Sequence, residues 1–239
     1  MKLRTLGKPP LVPRRYFVAL LAGLVAQFVF WAEARRVHIP WGGVDLAPSE
    51  SLVNVIGLGD DQLFYRAAAL GLQNEGDWAG ELTPLTDYDY TRLAAWFTLL
   101  SRIDPHSQYA PTLAGYYYGQ SRNPEQVRLI VEYLRRLAED NPRRQWRWLA
   151  YGVYLARHRI KDQSLALDLA YHLAALPIVD MPIWTRQLPA FVLADTGDKE
   201  AARDILEAII ESTPDLQKSE LNFMRNYIDS KLGFSANSR

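Results

Sequence analysis

Four runs along the chain carry apolar residues three and four positions apart, the spacing of a helix that buries one face. They read "YTRLAAWFTLLSRI", "EQVRLIVEYLRRLAED", "DQSLALDLAYHLAAL" and "DKEAARDILEAIIEST". Each opens at a polar cap or turn: Asp87/Asp89, Asn123-Pro124-Glu125, Lys161-Asp162 and Gly197-Asp198. Asn or Asp accepts from the free N–H groups of a first turn, and proline is tolerated at the first helical position. A proline follows each run, at Pro105, Pro142, Pro177 and Pro214, with intervals of 37, 35 and 37 residues. Proline lacks the N–H that would continue the helix. Between each stop and the next start lies room for a further helix. "APTLAGYYYG", "RRQWRWLAYGVYLARHR" and "MPIWTRQLPAFVLAD" fill these places, with "DDQLFYRAAALGLQN" before the first and "SELNFMRNYIDSKL" after the last. An insertion, "EGDWAGELTPLTD", lengthens the turn of the first unit.

Helix pairs recurring at this period predict a stack, because each pair buries its apolar face only on its neighbour. Gly197, Ala202 and Pro214 stand at the separations at which a tetratricopeptide repeat places its turn glycine, its small second-helix residue and its terminal proline. Trp184 lies near the aromatic that the repeat carries early in its first helix. One unit earlier Ala166 keeps the small position, while Lys161 replaces the glycine. On these residues the chain over about 58–232 resembles a divergent tetratricopeptide array. That resemblance implies an all-α fold, a right-handed superhelical stack of helix-turn-helix repeats, working as a protein-binding scaffold.

A different pattern occupies the N-terminal end. From Tyr16 to Ala32 there are 17 residues without a charge, about 26 Å of helix at 1.5 Å per residue. Five cations precede the run (Lys2, Arg4, Lys8, Arg14 and Arg15) and two follow it (Arg35 and Arg36). This bias predicts a cytoplasmic N-terminus and an exported body. Tyr16 and Trp31 stand at the ends of the run, where amphipathic rings favour the interface. A cleavable signal peptide is the competing reading, with Ala32-Glu33-Ala34 as its A-x-A site. The length of the run and the bulk of Val29-Phe30-Trp31 favour an uncleaved anchor, and both readings export the body. The resulting division is a basic tail over 1–15, a transmembrane anchor over 16–34, a linker over 35–57, the helical array over 58–232 and a tail over 233–239.

Composition removes several chemistries. There is no cysteine among the 239 residues, so disulfides and thiolate metal sites are excluded. None of His38, His106, His158 and His172 lies three or four residues from another, so no helix offers a two-histidine clamp. "GLGDD" at 57–61 lacks the third glycine of a dinucleotide turn, and Asp87 and Asp89 read as helix caps. No catalytic residue, metal ligand or cofactor site is assigned. Residues 1–36 carry a net charge of +6, leaving −6 on the other 203, a poor polyanion binder that argues against nucleic acid.

Charge and aromatic order are more informative. Residues 128–161 hold nine cations against three anions, between an acidic segment over 37–104 and another over 162–239. Eight of the nine are arginine, the residue suited to carboxylate or phosphate pairing. In "RRQWRWLAYGVYLARHR", Arg147, Tyr151, Tyr154 and His158 share one helical face, and Trp148, Gly152, Leu155 and Arg159 share its neighbour. Gly152 permits close helix approach, which assigns Trp148 and Leu155 to the core. Arg143, Arg144, Arg147, Tyr151 and Tyr154 are then the candidate partner-binding residues. The sequence supports a non-catalytic scaffold at the bacterial inner membrane, its helical domain periplasmic, binding a protein partner. An accessory module holding an anionic glycan or lipid head group and a cell-wall hydrolase are the alternatives.

Overall fold

A computed structural model of the chain describes residues 14–34, 43–78 and 81–234. Lys2, Arg4, Lys8, Arg35 and Arg36, the first part of the expected linker and residues 235–239 of the expected tail lie outside the described residues. Helix α1 (Arg14–Ala34) contains the apolar run and buries none of its residues. It is long and apolar enough to cross a membrane by length and composition. The rest of the described chain is almost entirely helical: α2 (Glu50–Ile56), α3 (Asp61–Gln73), α4 (Tyr90–Ile103), α5 (Tyr109–Thr112), α6 (Pro124–Asp140), α7 (Pro142–Leu155), α8 (Gln163–Ala174), α9 (Trp184–Thr196), α10 (Lys199–Ser212) and α11 (Lys218–Tyr227). Within the first-unit insertion, Asp77–Trp78 (β1) and Glu81–Leu82 (β2) form a two-residue antiparallel pair.

Side-chain caps fix where these helices begin. The Asp60 carboxylate accepts from the N–H groups of Gln62 and Leu63, and Asp89 accepts from those of Thr91 and Arg92. Asn123 caps α6 at Glu125 N–H, with Pro124 in the first turn. Asp162 accepts from Leu165 N–H at 2.9 Å, and Asp198 from Ala201 N–H at 3.2 Å. Each such cap contributes about 1 kcal/mol by satisfying donors that a first turn leaves free. The stops are equally local. Lys161, Gly197 and Gly233 adopt left-handed backbone at φ 62°, 87° and 83°, and they fall 36 residues apart. Glycine takes this conformation freely, whereas a lysine there costs about 1 kcal/mol.

Each helix from α6 to α9 packs on the one that follows, α10 also packs on the wide turn Ile228–Leu232 after α11, and α4 packs on α6. The shared core includes Leu93, Phe97 and Leu100 of α4, Ile130 and Leu134 of α6, Leu149 of α7, and Leu169 and Leu173 of α8. A second cluster, with Ala190, Ala202, Leu206 and Met224, joins α9, α10 and α11. Ala166 and Ala202 are fully buried at equivalent places four residues after the Asp162 and Asp198 caps. Small side chains at these points let helix axes approach closely. Trp148 and Leu155 are buried, as the helical spacing predicts.

Part of the segment expected as a linker is structured. Its residues 50–56 form α2, and Val44 is buried in the main core. Arg92 donates to the Val44 carbonyl at 2.7 Å, and the Trp96 indole N–H donates to the Asp45 carbonyl at 2.8 Å. The segment is thus stitched to α4 through its backbone, a contact that leaves no periodic signature in sequence.

Candidate functional site: an aromatic groove across α7 and α9

Helix α7 follows α6 without a loop, since Asn141 ends one helix and begins the next. Its buried side is anchored by amides. Gln145 Nε2 donates to the Pro105 carbonyl at 3.2 Å, Gln108 Nε2 donates to Gln145 Oε1 at 3.1 Å, and Trp148 Nε1 donates to Gln108 Oε1 at 2.6 Å. With that side held, the opposite face is presented outward. Arg143, Arg147, Tyr151, Tyr154 and His158 lie along it, and the last four line a groove of about 430 Å³. Tyr116, from the wide turn Leu113–Tyr117 after α5, forms one wall, while Trp184 and Leu188 of α9 form the other.

The rings interlock. Tyr116 and Tyr151 have centroids 4.5 Å apart with planes at 52°, and Tyr151 stacks on Tyr154 at 5.4 Å and 22°. His158 continues the row 5.0 Å beyond Tyr154. Across the groove Trp146 meets Trp184 at 5.8 Å and 53°. The Arg147 guanidinium lies 4.4 Å above the Trp146 ring, a cation–π contact that orients the charge before any ligand arrives. Tyr116, Tyr154 and Trp184 remain 56%, 46% and 40% exposed, so these rings are surface, whereas Trp146 at 6% is floor. Burial pushes the Tyr151 phenol above its ordinary pKa. Gly115 makes room for that ring: a Cβ there would sit 3.1 Å from two Tyr151 ring carbons.

The basic band sorts into two groups. Arg128 pairs with Asp162 at 3.0 Å, Arg135 with Asp168 at 2.9 Å and Glu139 at 3.0 Å, and Arg136 with Glu132 at 2.9 Å. Arg157 pairs with Asp195, and Arg159 donates to the Gln120 carbonyl at 2.6 Å. The N–H of Leu165, and then Arg128, hold the Asp162 carboxyl below the ordinary carboxylate range. Arg143, Arg144, Arg147 and the cap residue Lys161 have no ion pair among the described residues. The structure therefore brings Arg147, Tyr151 and Tyr154 together in the groove. Arg143 is one turn further along the same face, and Arg144 is exposed beside it; neither lines the cavity.

Some groove features escape sequence reasoning. Leu188 lines it, and a second aromatic cluster joins Phe191 of α9 to Tyr227 at 5.1 Å and Phe223 at 6.1 Å. Trp184, Leu188, Phe191 and Asp195 recur at i, i+4, i+7 and i+11, a spacing that was available to find this face. The remaining chemistry is sparse. No group of three metal-ligating side chains occurs among the described residues. His172 Nδ1 lies 3.5 Å from Glu139, and His158 belongs to the aromatic row, so the two histidines serve separate surroundings. Comparison with known protein families, with curated proteins and with solved structures found no match to this chain.

Proposed function

We propose that this chain is a membrane-anchored, non-catalytic scaffold of the bacterial cell envelope, whose helical domain holds a segment of a protein partner. The single observation that carries the reading is the open aromatic groove lined by Arg147, with Arg143 and Arg144 beyond it, none of the three in an ion pair among the described residues. Aromatic and arginine side chains combine large contact area with low ordering cost, and they dominate the energetics of binding surfaces. In this reading the domain is a tetratricopeptide-like α-solenoid wound as a right-handed superhelix. Its support is the 36-residue recurrence of left-handed caps, Asp N-caps and buried alanines, together with packing of each helix from α6 to α9 on the one that follows. The groove then occupies the first helices of adjacent units, the inner face of such a stack.

Helix α1 is the anchor, and the excess of cations before it places the N-terminus in the cytoplasm and the helical domain in the periplasm. The test combines topology and capture. A periplasm-active reporter fused after Arg239 should work, and a cytoplasm-active one should fail. A photo-crosslinking residue at exposed Tyr154 should trap a discrete protein in intact cells, and the same residue at Lys199 should not. Reversed reporter activity defeats the localisation, and absence of any Tyr154-specific protein adduct defeats the scaffold.

A further inference from the structure

We infer that the groove recognises an extended, proline-bearing peptide whose one end is acidic; this rests on the scaffold reading and names the chemistry of its partner. The first argument is a balance of donors and acceptors. Apart from tyrosine hydroxyls, the polar groups lining the groove are arginine, histidine and indole, and no carboxylate or side-chain amide lines it. The indole N–H groups of Trp146 and Trp184 have no hydrogen-bond partner among the described residues. Such a surface offers donors and asks for acceptors. An ordinary extended strand brings one N–H per residue, and each one buried without an acceptor costs about 1–3 kcal/mol. Proline brings a carbonyl and no N–H. A polyproline II segment needs no partner strand and leaves its carbonyls outward, free to accept from the exposed Trp184 indole and from Arg147.

Ring geometry points the same way. The Tyr116–Tyr151 and Trp146–Trp184 pairs touch at inclinations of 52° and 53°, so the walls are ridged rather than a flat platform. A pyrrolidine ring packs against the exposed faces of Tyr116, Tyr154 and Trp184. A saccharide prefers a flat stacking face with acceptors beside it for its hydroxyls, and this groove supplies few of those acceptors.

Charge sets the direction. Tyr151 and Tyr154 stand toward the C-terminal end of α7, while Arg147 and then Arg143 continue their face toward its N-terminus. Neither guanidinium group has an ion pair among the described residues, and Arg147 is pre-oriented over Trp146. A bound peptide therefore lays its prolines against Tyr116, Tyr154 and Trp184 and its carboxylates toward Arg147 and Arg143.

The test uses the full-length chain in detergent micelles and fluorescein-labelled synthetic peptides read by polarisation. The lead peptide is a proline-rich segment ending in three glutamates. One control replaces its prolines by alanine, a second replaces its glutamates by glutamine, and chitohexaose serves as the saccharide competitor. The lead should bind saturably, and each control peptide should bind about tenfold more weakly. Tyr151→Ala with Tyr154→Ala should cost about tenfold or more for the lead peptide. Arg147→Gln should remove most of the difference between the glutamate and glutamine peptides, because that difference is its charge. Equal binding of the proline and alanine peptides overturns the inference, as does displacement of the bound lead peptide by chitohexaose at concentrations below those at which the unlabelled lead peptide displaces it. If no peptide binds while the Tyr154 crosslinker still traps a protein, the proline chemistry is wrong and the scaffold reading stands. Failure of both assays removes both.

Discussion

Arg143 and Arg144 occupy the second and third positions of α7, after Asn141 and Pro142, where the helix dipole is positive. The first turn of α7 contains no acidic residue, and the Asn141 side chain makes no capping hydrogen bond. Only Asp140, at the end of α6, is near enough to offset part of these two charges, and both side chains are exposed. Reversing them with Arg143→Glu and Arg144→Glu removes two unfavourable terms and adds two favourable ones, each about 0.3–1 kcal/mol. Asp140 ends α6 close by and would repel the new carboxylates, which offsets a few tenths of a kcal/mol per pair. The net expectation is a fold more stable by about 0.5–1.5 kcal/mol, or roughly 1–6 °C in Tm for a domain of this size. Arg143→Gln with Arg144→Gln should fall about midway. The assay is a thermal melt of the full chain in one detergent, followed by circular dichroism, alongside binding of the acidic peptide. The reasoning requires the two readouts to move in opposite directions, stability rising while binding falls. A reversed variant that melts several degrees lower shows that these arginines hold the fold. A variant that binds the acidic peptide as the wild type does shows that they do not guide the ligand.

Two further outcomes follow from the same structure. Ala202→Trp, which forces a large ring into a fully buried contact among α9, α10 and α11, should destabilise by about 1–3 kcal/mol, whereas Lys199→Ala on the exposed side should change little; equal melting shifts would refute the packing register. Burial pushes the Tyr88 and Tyr90 phenols up to about 12 and raises those of Tyr118 and Tyr133, so the folded state keeps protons that the unfolded chain loses above about pH 10. Stability should be fully present below pH 10 and then fall, by up to about 1.4 kcal/mol per pH unit for each such phenol; ultraviolet titration should show phenolate appearing with unfolding, and free titration of these four phenols in an intact fold would contradict the assignment.

What sequence makes legible here is what local chemistry decides. A carboxylate or amide that satisfies the N–H groups of a first turn acts within four residues, so the starts of α4, α6, α8 and α10 could be read at Asp89, Asn123, Asp162 and Asp198. The uncharged run over 16–32 likewise became one helix. Features that depend on distant partners stayed hidden. Val44 was unreadable because it and Asp45 are held by α4, some 50 residues on, through backbone carbonyls, and α2 because it buries only Val53, against Phe64 and Leu99. The helix expected over "APTLAGYYYG" runs unbroken from Tyr109 to Gln120, but its winding changes, from a short α stretch to a wide turn at Leu113–Tyr117 and a tight one at Tyr118–Gln120. Tyr118 accounts for part of that change: its hydroxyl donates to the Leu72 carbonyl and its own carbonyl accepts from Tyr90. The same limit applies to the groove. Helical spacing could place Arg147, Tyr151 and Tyr154 on one face, but only coordinates could reveal which of the nine cations already had partners.

That partition of charge bears directly on how a scaffold of this kind could work. Arg128 and Arg135 of α6 reach Asp162 and Asp168 at the start and middle of α8, and Arg157 just beyond α7 reaches Asp195 of α9. These pairs connect elements roughly one repeat apart, so each fixes how one helix pair sits on the next. Exposed ion pairs contribute little individually, about 0–1 kcal/mol. Their value is geometric, since a groove built across α7 and α9 keeps its width only if those helices keep their spacing. Arg157 is the clearest case, because it lines the groove and also ties α7 to α9. Cations used in this way are unavailable to a ligand, and those left over at the N-terminal end of α7 oppose the helix dipole. A surface that carries charge against its own stability, beside rings too exposed to serve as core, is what supports the proposed binding site over a merely solvated face.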